Sequence, residues 1–425
     1  MVRMVHVGVV GAGYVGLTTA ACLASLGHDV VCADIDEARV ERLRRGDVPF
    51  HEPGLTALLS KALASGRLRF VLGAAAAAEN RQVVFLCVAT PQGDDGNHDL
   101  TFIDAATDDI AQALAPNTVV VTKSTVPIGT AQRITQRLGR GDVYVAANPE
   151  FLAEGTAVSD FMSPSRIIVG SENRDAAWLV ASLYGHISAP VVVTDSASAE
   201  LIKLASNAFL ATKLSFVNTV SAVCEQIGAN VNDVAGAMGL DPRIGSRYLH
   251  AGPGWGGSCL PKDTRALVHA AAQVGVDFGV VAAAISANDT QLQRIADKII
   301  AAAAGGTVGV WGLTFKANTD DLRDSPSLTI VDRVLASGAA VTAFDPAISA
   351  AHPLIPHQVQ IVGSALTAAT GASCLAVLTE WDDFRWIPPA EVAAVMDGRT
   401  VVDGRDLLNA ADWSAAGFTV RGIGS

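Results

Sequence analysis

The sequence is poor in aromatic and in charged residues, and it contains no long uninterrupted apolar run. Of its 425 residues, 5% are aromatic and 17% are charged, whereas 50% are hydrophobic. Alanine, valine and glycine are abundant instead, which is typical of α/β proteins with buried parallel strands. Because no apolar stretch is long enough to span a bilayer, we expect no membrane association.

Cysteine and positive charge are also scarce. The cysteines stand at positions 22, 32, 87, 224, 259 and 374, with no CxxC pair and no metal-ligand spacing. We therefore expect no metal site and no disulfide framework, and the N-terminus shows no signal-peptide anatomy, so the predicted location is the cytoplasm. The formal net charge of −12 argues against a nucleic-acid partner. It does not exclude anionic ligands, which helix N-termini and a few Arg or Lys side chains can bind locally.

The first half of the chain alternates short apolar runs with helix-length segments. This alternation predicts parallel βαβ units. The expected strands are Val5–Val10, Val30–Asp34, Val83–Val88, Val119–Thr122, Val143–Ala147, Ile167–Val169 and Val191–Val193. A long apolar-periodic helix is expected next, over Ser198–Ile227, and further helical sequence extends to about Ala301.

A second α/β pattern begins at Gly305. Its expected elements are a strand over Val308–Trp311, a helix over Ser327–Ala336 and a strand over Val341–Phe344. They repeat the plan of the N-terminus, although the first loop lacks the full glycine fingerprint. A chain of this length is expected to hold two or three domains, and we place them at residues 1–197, 198–301 and 302–425.

A glycine motif at the N-terminus predicts a dinucleotide site. Residues 11–16 fit GxGxxG, directly after a predicted strand and at the start of a predicted helix. Gly11 would permit the tight turn, Gly13 the approach of the pyrophosphate, and Gly16 the packing of helix on strand. The pyrophosphate would then lie on the N-terminus of the helix, where free N–H groups favour anions.

The acidic residue at the end of the second predicted strand indicates which dinucleotide is bound. Asp34 stands at about the distance from the glycine motif expected for a ribose ligand. A carboxylate there accepts hydrogen bonds from the ribose hydroxyls and repels a 2′-phosphate, which favours NAD over NADP. Arg39 is the one nearby residue that could accommodate such a phosphate.

The glycine-rich segment 252–259 ends at a candidate nucleophile. So many glycines before Cys259 indicate backbone wrapped closely around a ligand, and Pro261 to Asp263 look like the first turn of a helix. A cysteine just before a helix N-terminus has its thiolate favoured by the dipole. A single cysteine is more often a small buried hydrophobe, and we assign that role to the other five.

Two pairs of polar residues have a spacing of four. Lys203 and Asn207 would share one face of the long helix and could converge on one substrate atom. Glu150 and Glu154 would share a face if their segment were helical. Taken alone, the first pair is more often a solvated lysine with a polar asparagine, and the second an exposed acidic face.

Taken together, these motifs resemble the nucleotide-sugar 6-dehydrogenase family, and its UDP-glucose-oxidising members most. The resemblance covers essentially the whole chain, with its landmarks in family order. Besides the glycine motif they are Phe50–Leu55, Thr90-Pro91, Lys123–Pro127, Asn148–Gly155, Lys203–Asn207, Asp241–Gly245, Gly256–Asp263, Phe315-Lys316 with Asp320–Arg323, Thr379–Asp382 and Asp403–Arg405.

The resemblance implies a fold and a set of catalytic roles. The fold is an N-terminal NAD-binding Rossmann domain, a long central helix with a helical linker domain that carries the cysteine loop, and a C-terminal Rossmann-like nucleotide-sugar domain. Cys259 would be the nucleophile, with Lys203 and Asn207 around the reacting oxygen. Asp263 would position water or Lys203, Glu150 would assist thioester hydrolysis, and Thr125 would lie near both ligands.

The motifs and the resemblance together assign the binding residues. The expected cofactor-binding residues are Gly11, Gly13, Tyr14, Val15, Gly16, Asp34, Arg39, Thr90, Pro91, Ser124, Thr125, Glu154 and Arg323. The expected nucleotide-sugar-binding residues are Glu150, Phe151, Leu152, Glu154, Lys203, Asn207, Arg243, Tyr248, Leu249, His250, Gly252, Gly256, Phe315, Lys316 and Arg405. Because Arg243 matches an arginine that reaches the substrate of a neighbouring subunit, the resemblance implies a homodimer.

The expected reaction is the NAD-dependent four-electron oxidation of a sugar C6 alcohol to the acid. UDP-glucose is the expected substrate, but Leu260 is shared with GDP-mannose enzymes and Trp255 stands where Phe or Tyr is commoner. GDP-mannose therefore remains an alternative substrate. So does dTDP-glucose, because thymine differs from uracil by one methyl group, and a difference of this size changes the binding free energy by only about 1–3 kcal/mol. A more distant alternative is a two-electron β-hydroxyacid dehydrogenase, which would need neither Cys259 nor a second nucleotide domain.

Overall fold

The computed structural model describes residues 4–93, 98–349 and 352–424. Within these ranges the chain divides into two compact units. The first comprises the described residues up to Ser206 together with Arg265–Val274, and the second comprises Asn207–Thr264 and the described residues from Gly275 onward. None of the helices in the described ranges has both the length and the apolar character that crossing a bilayer requires.

The first unit is built on a sheet of eight strands within its described residues. The strands are β1 (His6–Val10), β2 (Asp29–Asp34), β3 (Leu68–Leu72), β4 (Val83–Leu86), β5 (Val119–Thr122), β6 (Tyr144–Ala147), β7 (Ile167–Gly170) and β8 (Val191–Thr194). Their spatial order is 3-2-1-4-5-6-7-8. The first six follow the order of a dinucleotide-binding Rossmann sheet, which confirms the predicted fold.

Helices cover this sheet because both of its faces are apolar. Alternate residues of one strand pack into different cores: Val83 and Phe85 into one, Val84 and Leu86 into the other. The helices of this part of the chain are α1 (Tyr14–Ser25), α2 (Glu37–Arg44), α3 (Leu55–Ala64), α4 (Ala74–Ala78), α5 (Thr101–Ile110), α6 (Thr130–Leu138), α7 (Ala157–Met162) and α8 (Arg174–Ser182). The long helix α9 (Ser196–Ile227) follows, and it begins two residues before the predicted start.

Two features of this sheet differ from the prediction. The edge strand β3 was not predicted, because its face is only partly buried: Leu68 and Phe70 point into the core while Arg69 is exposed. The predicted parallel βαβ units do not extend to β6 and β7, which pair in antiparallel fashion at Ala147 and Gly170. The connection between these strands holds only the short helix α7 rather than a long crossover helix.

The second unit contains a parallel sheet of six strands within its described residues. The strands are β9 (Val308–Trp311), β10 (Val341–Phe344), β11 (Gln360–Ile361), β12 (Cys374–Val377), β13 (Thr400–Asp403) and β14 (Thr419–Arg421), in the spatial order 11-10-9-12-13-14. The remaining helices are α10 (Val231–Gly239), α11 (Leu260–Gln273), α12 (Gly279–Ala303), α13 (Pro326–Ala336), α14 (Ala365–Ala369), α15 (Asp382–Arg385), α16 (Pro389–Val395) and α17 (Ala410–Ala415). Both α9 and α11 contain a boundary between the units.

The second sheet repeats the plan of the first, as the sequence predicted. The Gly312 N–H donates to the carbonyl of Phe344 at 2.8 Å, as the Gly11 N–H donates to Ala33 at 2.8 Å. Asp345 at the end of β10 accepts from the Leu313 N–H at 2.7 Å and also faces Trp381 Nε1 at 3.3 Å. This carboxylate is buried, and its partners all belong to its own unit.

Candidate active site

The predicted cofactor residues of the first unit lie at one edge of its sheet. The glycine motif follows β1, Asp34 ends β2, and residues 124–125 follow β5. Carboxyl ends of parallel strands meet at the same edge, and the strand order reverses between β1 and β4. Open α/β sheets bind their ligands outside this reversal point.

The turn after β1 fits a pyrophosphate. A Cβ on Gly16 would lie 1.8 Å from the carbonyl oxygen of Gly11, so only glycine lets α1 pack this closely on β1. A Cβ on Gly13 would meet nothing within 4 Å, which leaves open space above the turn. Gly13 is the N-cap of α1 and supplies no side chain to its first N–H groups. These donors are therefore available to an anionic ligand.

The Asp34 carboxylate is held from three sides. It accepts from the Ala12 N–H at 2.9 Å and from the Asp36 N–H at 3.0 Å, and Arg39 Nη1 lies 3.1 Å from it. The side chain is thereby fixed beside the glycine turn, as the sequence predicted. Arg39 is paired with this carboxylate here, and its own side chain is partly exposed.

The segments after β4 and β5 are joined by hydrogen bonds. Thr90 Oγ1 donates to the carbonyl of Thr125 at 2.8 Å, and Ser124 Oγ donates to that of Val88 at 2.6 Å. Pro91 next to Thr90 is exposed. Val15, another predicted cofactor residue, packs as a partly buried side chain against the core.

A buried contact connects α1 to the segment before β7. Tyr14 Oη donates to the carboxylate of Glu52, and the same carboxylate accepts from the Gly155 N–H at 2.8 Å. Burial and the neighbouring Glu52 raise the pKa of Tyr14 well above its usual range. Glu52 was not among the predicted site residues, although the landmark Phe50–Leu55 contains it. Glu154, which was predicted to contact both ligands, is half-buried.

The segment that carries Glu150 and Glu154 is not helical. Residues 148–153 follow β6 as irregular backbone, so the condition for a shared helical face of the two carboxylates is not met. Pro149 within it has no N–H for a helical hydrogen bond. Glu150 Oε2 instead accepts from the Leu152 N–H at 2.5 Å and leaves Oε1 free to turn toward α9.

Glu150 and Lys203 form a buried ion pair. Lys203 Nζ lies 2.8 Å from Glu150 Oε1, and the two side chains are 5% and 6% exposed. Lys203 also lies over the ring of Phe151, at 5.4 Å from its centroid. The pair places an ammonium and a carboxylate in one site, where a proton can be exchanged between them and a substrate. Asn207 follows one turn later on α9 and is also buried.

A second buried lysine was not among the predicted site residues. Lys123, directly after β5, donates to Asn148 Oδ1 at 3.1 Å and to Tyr184 Oη at 3.2 Å. Burial lowers the pKa of its ammonium to about 8. Glu150 contributes an opposing electrostatic attraction. The motif Lys123–Pro127 contained this residue, but nothing in its spacing showed that the side chain turns inward.

In the second unit, Cys259 stands just before α11. Its carbonyl accepts the Asp263 N–H at 2.9 Å, which is the first turn of the helix that the sequence predicted. Its side chain is partly exposed, whereas the other five cysteines are buried, as predicted. Burial raises the pKa of the Cys22 thiol to about 12, which is typical of a cysteine with a packing role.

A buried carboxylate lies one turn after Cys259. Asp263 accepts from Asn207 Nδ2 at 2.6 Å and forms an ion pair with Lys262 at 2.9 Å. Its side chain is 1% exposed. This pairing fixes the Asn207 amide and adds two polar groups to the environment of the cysteine loop.

The predicted nucleotide-sugar residues of the second unit meet at the carboxyl edge of its sheet. Arg405, after β13, donates to the carbonyl of Phe315, after β9, at 3.1 Å. A Cβ on Gly252 would lie 3.6 Å from Arg405 Nη1, and one on Gly256 would lie 2.0 Å from the carbonyl oxygen of Asp324. Lys316 Nζ lies over the Phe315 ring at 5.4 Å.

The remaining predicted residues of this unit have mixed exposure. The Leu249 side chain is buried among apolar residues of α9 and α10, so only its backbone could contact a ligand. Tyr248 and His250 on either side of it are exposed. Arg243 pairs with Asp241 at 2.6 Å, and Arg323 pairs with Asp321 at 2.7 Å, both with largely exposed guanidinium groups.

Family models match three successive segments of the chain. The NAD binding domain of the UDP-glucose/GDP-mannose dehydrogenase family matches residues 5–188, its central domain matches 197–290, and its UDP binding domain matches 309–410. The chain belongs to the UDP-glucose/GDP-mannose dehydrogenase family. This confirms the predicted family, its NAD cofactor and its nucleotide-sugar substrate class.

Relatives in the UDP-glucose/GDP-mannose dehydrogenase family match almost from end to end. A UDP-glucose 6-dehydrogenase of Rhizobium meliloti is 42% identical over 430 residues, with 98% of each chain covered. The UDP-glucose 6-dehydrogenase TuaD of Bacillus subtilis is 39% identical, with 99% of this chain and 93% of the relative covered. The structure of a UDP-glucose dehydrogenase from Pyrobaculum islandicum superposes with a TM-score of 0.89 at 35% identity, covering 97% of this chain and 98% of the other.

Proposed function

We propose that this chain oxidises the C6 alcohol of UDP-glucose to the carboxylate of UDP-glucuronate with two molecules of NAD. The observation that carries the proposal is the partly exposed Cys259 at the start of α11, in the same unit as the buried Asn207–Asp263 pair. The names of the relatives from Rhizobium meliloti and Bacillus subtilis support UDP-glucose as the substrate.

The chemistry explains why such an enzyme needs a thiol. Two hydrides must leave the same carbon, but the carbon of an aldehyde bears no hydroxyl whose oxygen can expel the second hydride. The Cys259 thiolate adds to the aldehyde carbon and forms a thiohemiacetal, whose oxidation gives a thioester on Cys259. Water then cleaves the C–S bond, releases the acid and restores the thiol. Bound NAD would supply the hydride acceptor for each oxidation.

The other roles follow from the groups around these steps. Lys203 passes a proton to Glu150 and then accepts the proton of the alcohol. The resulting ammonium and the Asn207 amide stabilise the charge that develops on the substrate oxygen. Asp263 holds the amide in place, as its 2.6 Å hydrogen bond to Asn207 indicates. Glu150 exchanges protons with Lys203 and assists the hydrolytic water, which its 2.8 Å contact with Lys203 supports.

The binding residues are proposed as two sets. On the first unit, the α1 turn and Asp34 hold the pyrophosphate and ribose of NAD, with residues 90–91 and 124–125 beside them. On the second unit, Phe315, Lys316 and Arg405 hold the nucleotide sugar, supported by their position at the carboxyl edge of the second sheet. Arg323 is proposed as a further contact to NAD.

We infer that the working protein is a homodimer. Arg243 is proposed to complete the sugar site of the neighbouring subunit, and its side chain is 87% exposed. The α9 residues Phe209, Phe216, Val223 and Ile227 form an exposed apolar stripe with spacings of seven, seven and four. An apolar stripe of this length on one helix is typical of a surface that a partner covers.

We also propose a cellular location and a division of the chain into domains. The six cysteines, spread along the chain with no CxxC pair, support a reducing compartment, hence the cytoplasm. The division of the chain into three parts, with limits at residues 197/198 and 301/302, is supported by the family matches to 5–188, 197–290 and 309–410.

The test is a substrate screen with a product count. The purified protein is assayed with NAD and UDP-glucose, dTDP-glucose, GDP-mannose or UDP-N-acetyl sugars, following NADH by absorbance. We expect the highest kcat/KM with UDP-glucose and two NADH for each sugar acid. A higher kcat/KM with another nucleotide sugar would identify that sugar as the substrate instead. One NADH per substrate with an aldehyde product would refute the four-electron reaction.

A further inference from the structure

The loop that leads to Cys259 is held by buried side-chain amides. Residues 252–259 have no regular secondary structure, yet Gly252 and Trp255 are buried or nearly so. Buried backbone N–H and C=O groups outside helices and strands need other partners, and an unpaired one costs about 1–3 kcal/mol. Here those partners come from α9 and α12.

The side-chain amide of Asn288 in α12 bonds to the backbone of Trp255, as a neighbouring strand would in a sheet. Its Oδ1 accepts from the Trp255 N–H at 2.8 Å, and its Nδ2 donates to the Trp255 carbonyl at 2.9 Å. One amide thus satisfies both backbone groups of one loop residue. The indole of Trp255 donates to Ser215 Oγ at 2.8 Å, which ties the same residue to α9.

Gly252 is held in the same way by two amides. Its N–H donates to Asn218 Oδ1 at 2.8 Å, and its carbonyl accepts from Gln291 Nε2 at 2.7 Å. Gln291 is oriented in turn by Arg294, whose Nε donates to Gln291 Oε1 at 3.0 Å and whose Nη1 contacts Glu225 at 3.0 Å. All of these residues belong to the second unit.

Close packing at Gly254 also constrains the backbone of the loop. Gly254 has a φ of +144°, and a Cβ there would lie 2.9 Å from Leu292 and 3.1 Å from Asn288 Oδ1. Farther along the loop, the Gly257 N–H donates to the carbonyl of Asp324 at 3.1 Å. The four backbone bonds to the amides therefore set where the chain enters the segment 256–259.

We propose that Asn288 and Gln291 are positioning residues that fix the Cys259 thiol at the N-terminus of α11 for attack on the aldehyde. The proposal rests on the proposed function, because the attack belongs to that reaction. Neither side chain touches the reacting atoms; both act through the backbone of residues 252 and 255. Loosening the loop should therefore slow thiol addition more than the first oxidation, which requires no covalent bond to Cys259.

The test compares Asn288→Ala and Gln291→Ala with Gln293→Ala, a control on the same helix whose side chain is exposed and contacts Asp297. A displacement of about 1 Å at a reacting group can slow a step about 100-fold. We expect the two test variants to release 6-aldehyde that a hydrazine traps, with the second oxidation slowed about 10- to 100-fold more than the first. The Kd for NAD should stay unchanged, and Gln293→Ala should behave as the parent protein.

A second measurement needs no substrate. The alkylation rate of Cys259 by iodoacetamide is followed against pH, and mass spectrometry of peptides identifies the labelled thiol. We expect the apparent pKa of Cys259 to rise in both test variants, because a displaced thiolate loses the N–H groups and dipole of α11. If the parent does not oxidise UDP-glucose, the proposed function fails while this profile still tests the loop.

The outcomes are distinct. Unchanged product partition and an unchanged alkylation profile in both variants would overturn the proposal, as would an equal loss of both oxidations, which indicates lost folded protein only. If Asn288→Ala does not fold, Asn288→Asp carries the test, because it fills the same space and keeps the acceptor for the Trp255 N–H. It replaces the donor to the Trp255 carbonyl with a second carboxylate oxygen, and it should release aldehyde as well.

Discussion

At the scale of single residues, Cys259 differs from the other cysteines by its surroundings alone. The other five are buried, and burial raises the pKa of the Cys87 and Cys374 thiols to about 12. Cys259 is partly exposed and stands where a helix begins. A thiol at such a position ionises more easily and can be reached by a substrate.

Replacing Cys259 with serine should separate the two oxidations. A hydroxyl of similar size is a far weaker nucleophile at neutral pH, so the second oxidation should fall by several orders of magnitude while the first persists. Free 6-aldehyde, trapped by a hydrazine and identified by mass spectrometry, is the expected product. Cys224→Ala, a change in the core, should lower the melting temperature without changing the product. Normal acid formation by Cys259→Ser would refute covalent catalysis.

Asp34 should determine the choice of cofactor. Asp34→Asn keeps the shape of the side chain, but it removes the charge and one of the two oxygens that accept from the Ala12 and Asp36 N–H groups. A hydrogen bond to a charged group contributes about 1.5–3 kcal/mol, so KM for NAD should rise about 10- to 100-fold and the preference over NADP should narrow. Initial rates with NAD and with NADP give both the KM values and the preference. A parent protein that uses NADP as well as NAD would contradict the assignment.

At the scale of elements, α9 is joined to α6 by a buried carboxylate. Glu200 accepts from the Gly129 N–H at 2.6 Å and from the Ala131 N–H at 2.8 Å, at the start of α6. Gly129 is the N-cap of α6 and has no side chain of its own for this purpose. Glu200 thus caps one helix from another, and α6 follows the segment that holds residues 124–125.

Protonation of Glu200 should make the free energy of unfolding depend on pH. Burial raises its pKa from 4.5 to about 7 in the folded protein. Between these values the folded state binds the proton more tightly than the unfolded state, so the group's contribution is fully present below pH 4.5 and declines as pH rises through 7. The decline is about 3 kcal/mol, at about 1.4 kcal/mol per pKa unit.

Glu200→Gln should remove this part of the pH dependence. Urea unfolding of parent and variant at several pH values between 4.5 and 7.5 gives the difference, in which groups common to both proteins cancel. The free energy of unfolding of the variant should rise relative to the parent across this range by roughly 3 kcal/mol. Gln136→Ala, on the exposed side of α6, should follow the parent. Parallel curves for Glu200→Gln and the parent would show that Glu200 does not titrate there.

At the scale of the whole molecule, the apolar stripe on α9 should govern assembly. Phe216 is 53% exposed in the single chain, and Ile227 at the end of the stripe is 71% exposed. Phe216→Glu would bury a charge in the proposed interface, so we expect monomers in sedimentation and a loss of activity. Trp386→Ala, which removes an exposed aromatic elsewhere, is the matched control and should leave the dimer intact. An active monomer of the parent protein would contradict the dimer proposal.

Arg243 should report the same assembly through the kinetics. Its side chain is largely exposed, and its described ion pair is with Asp241, two residues earlier in the sequence. Arg243→Ala should raise KM for the nucleotide sugar about 10- to 100-fold, as expected for a lost charged hydrogen bond, and KM for NAD much less. Mixing this variant with a Cys259→Ser variant should restore some activity if each subunit supplies its arginine to the partner. Absence of any restoration in mixed dimers would contradict that role.

The sequence by itself determined the features that depend on local order along the chain. The glycine turn, the strand that ends at Asp34 and the helix start after Cys259 each follow from residue types at fixed spacing, and the structure has all three. The repeated α/β plan was also readable, because hydrophobic periodicity is a local property. The spacing of Glu150 and Glu154 did not reveal that residues 148–153 are irregular, where Pro149 lacks an N–H and Glu150 bonds to Lys203.

Only the tertiary structure decided which polar groups meet. Glu52 reaches Gly155 across 103 residues, and Asn288 reaches Trp255 across 33. The inward turn of Lys123 depends on Asn148, which follows β6, and on Tyr184, which follows α8. Such contacts have no period in the sequence, because they arise when chain folding buries a polar group and the nearest complementary group must satisfy it. For that reason the sequence alone predicts Cys259 as the nucleophile, but it does not reveal the Asn288 and Gln291 amides that we propose as positioning residues.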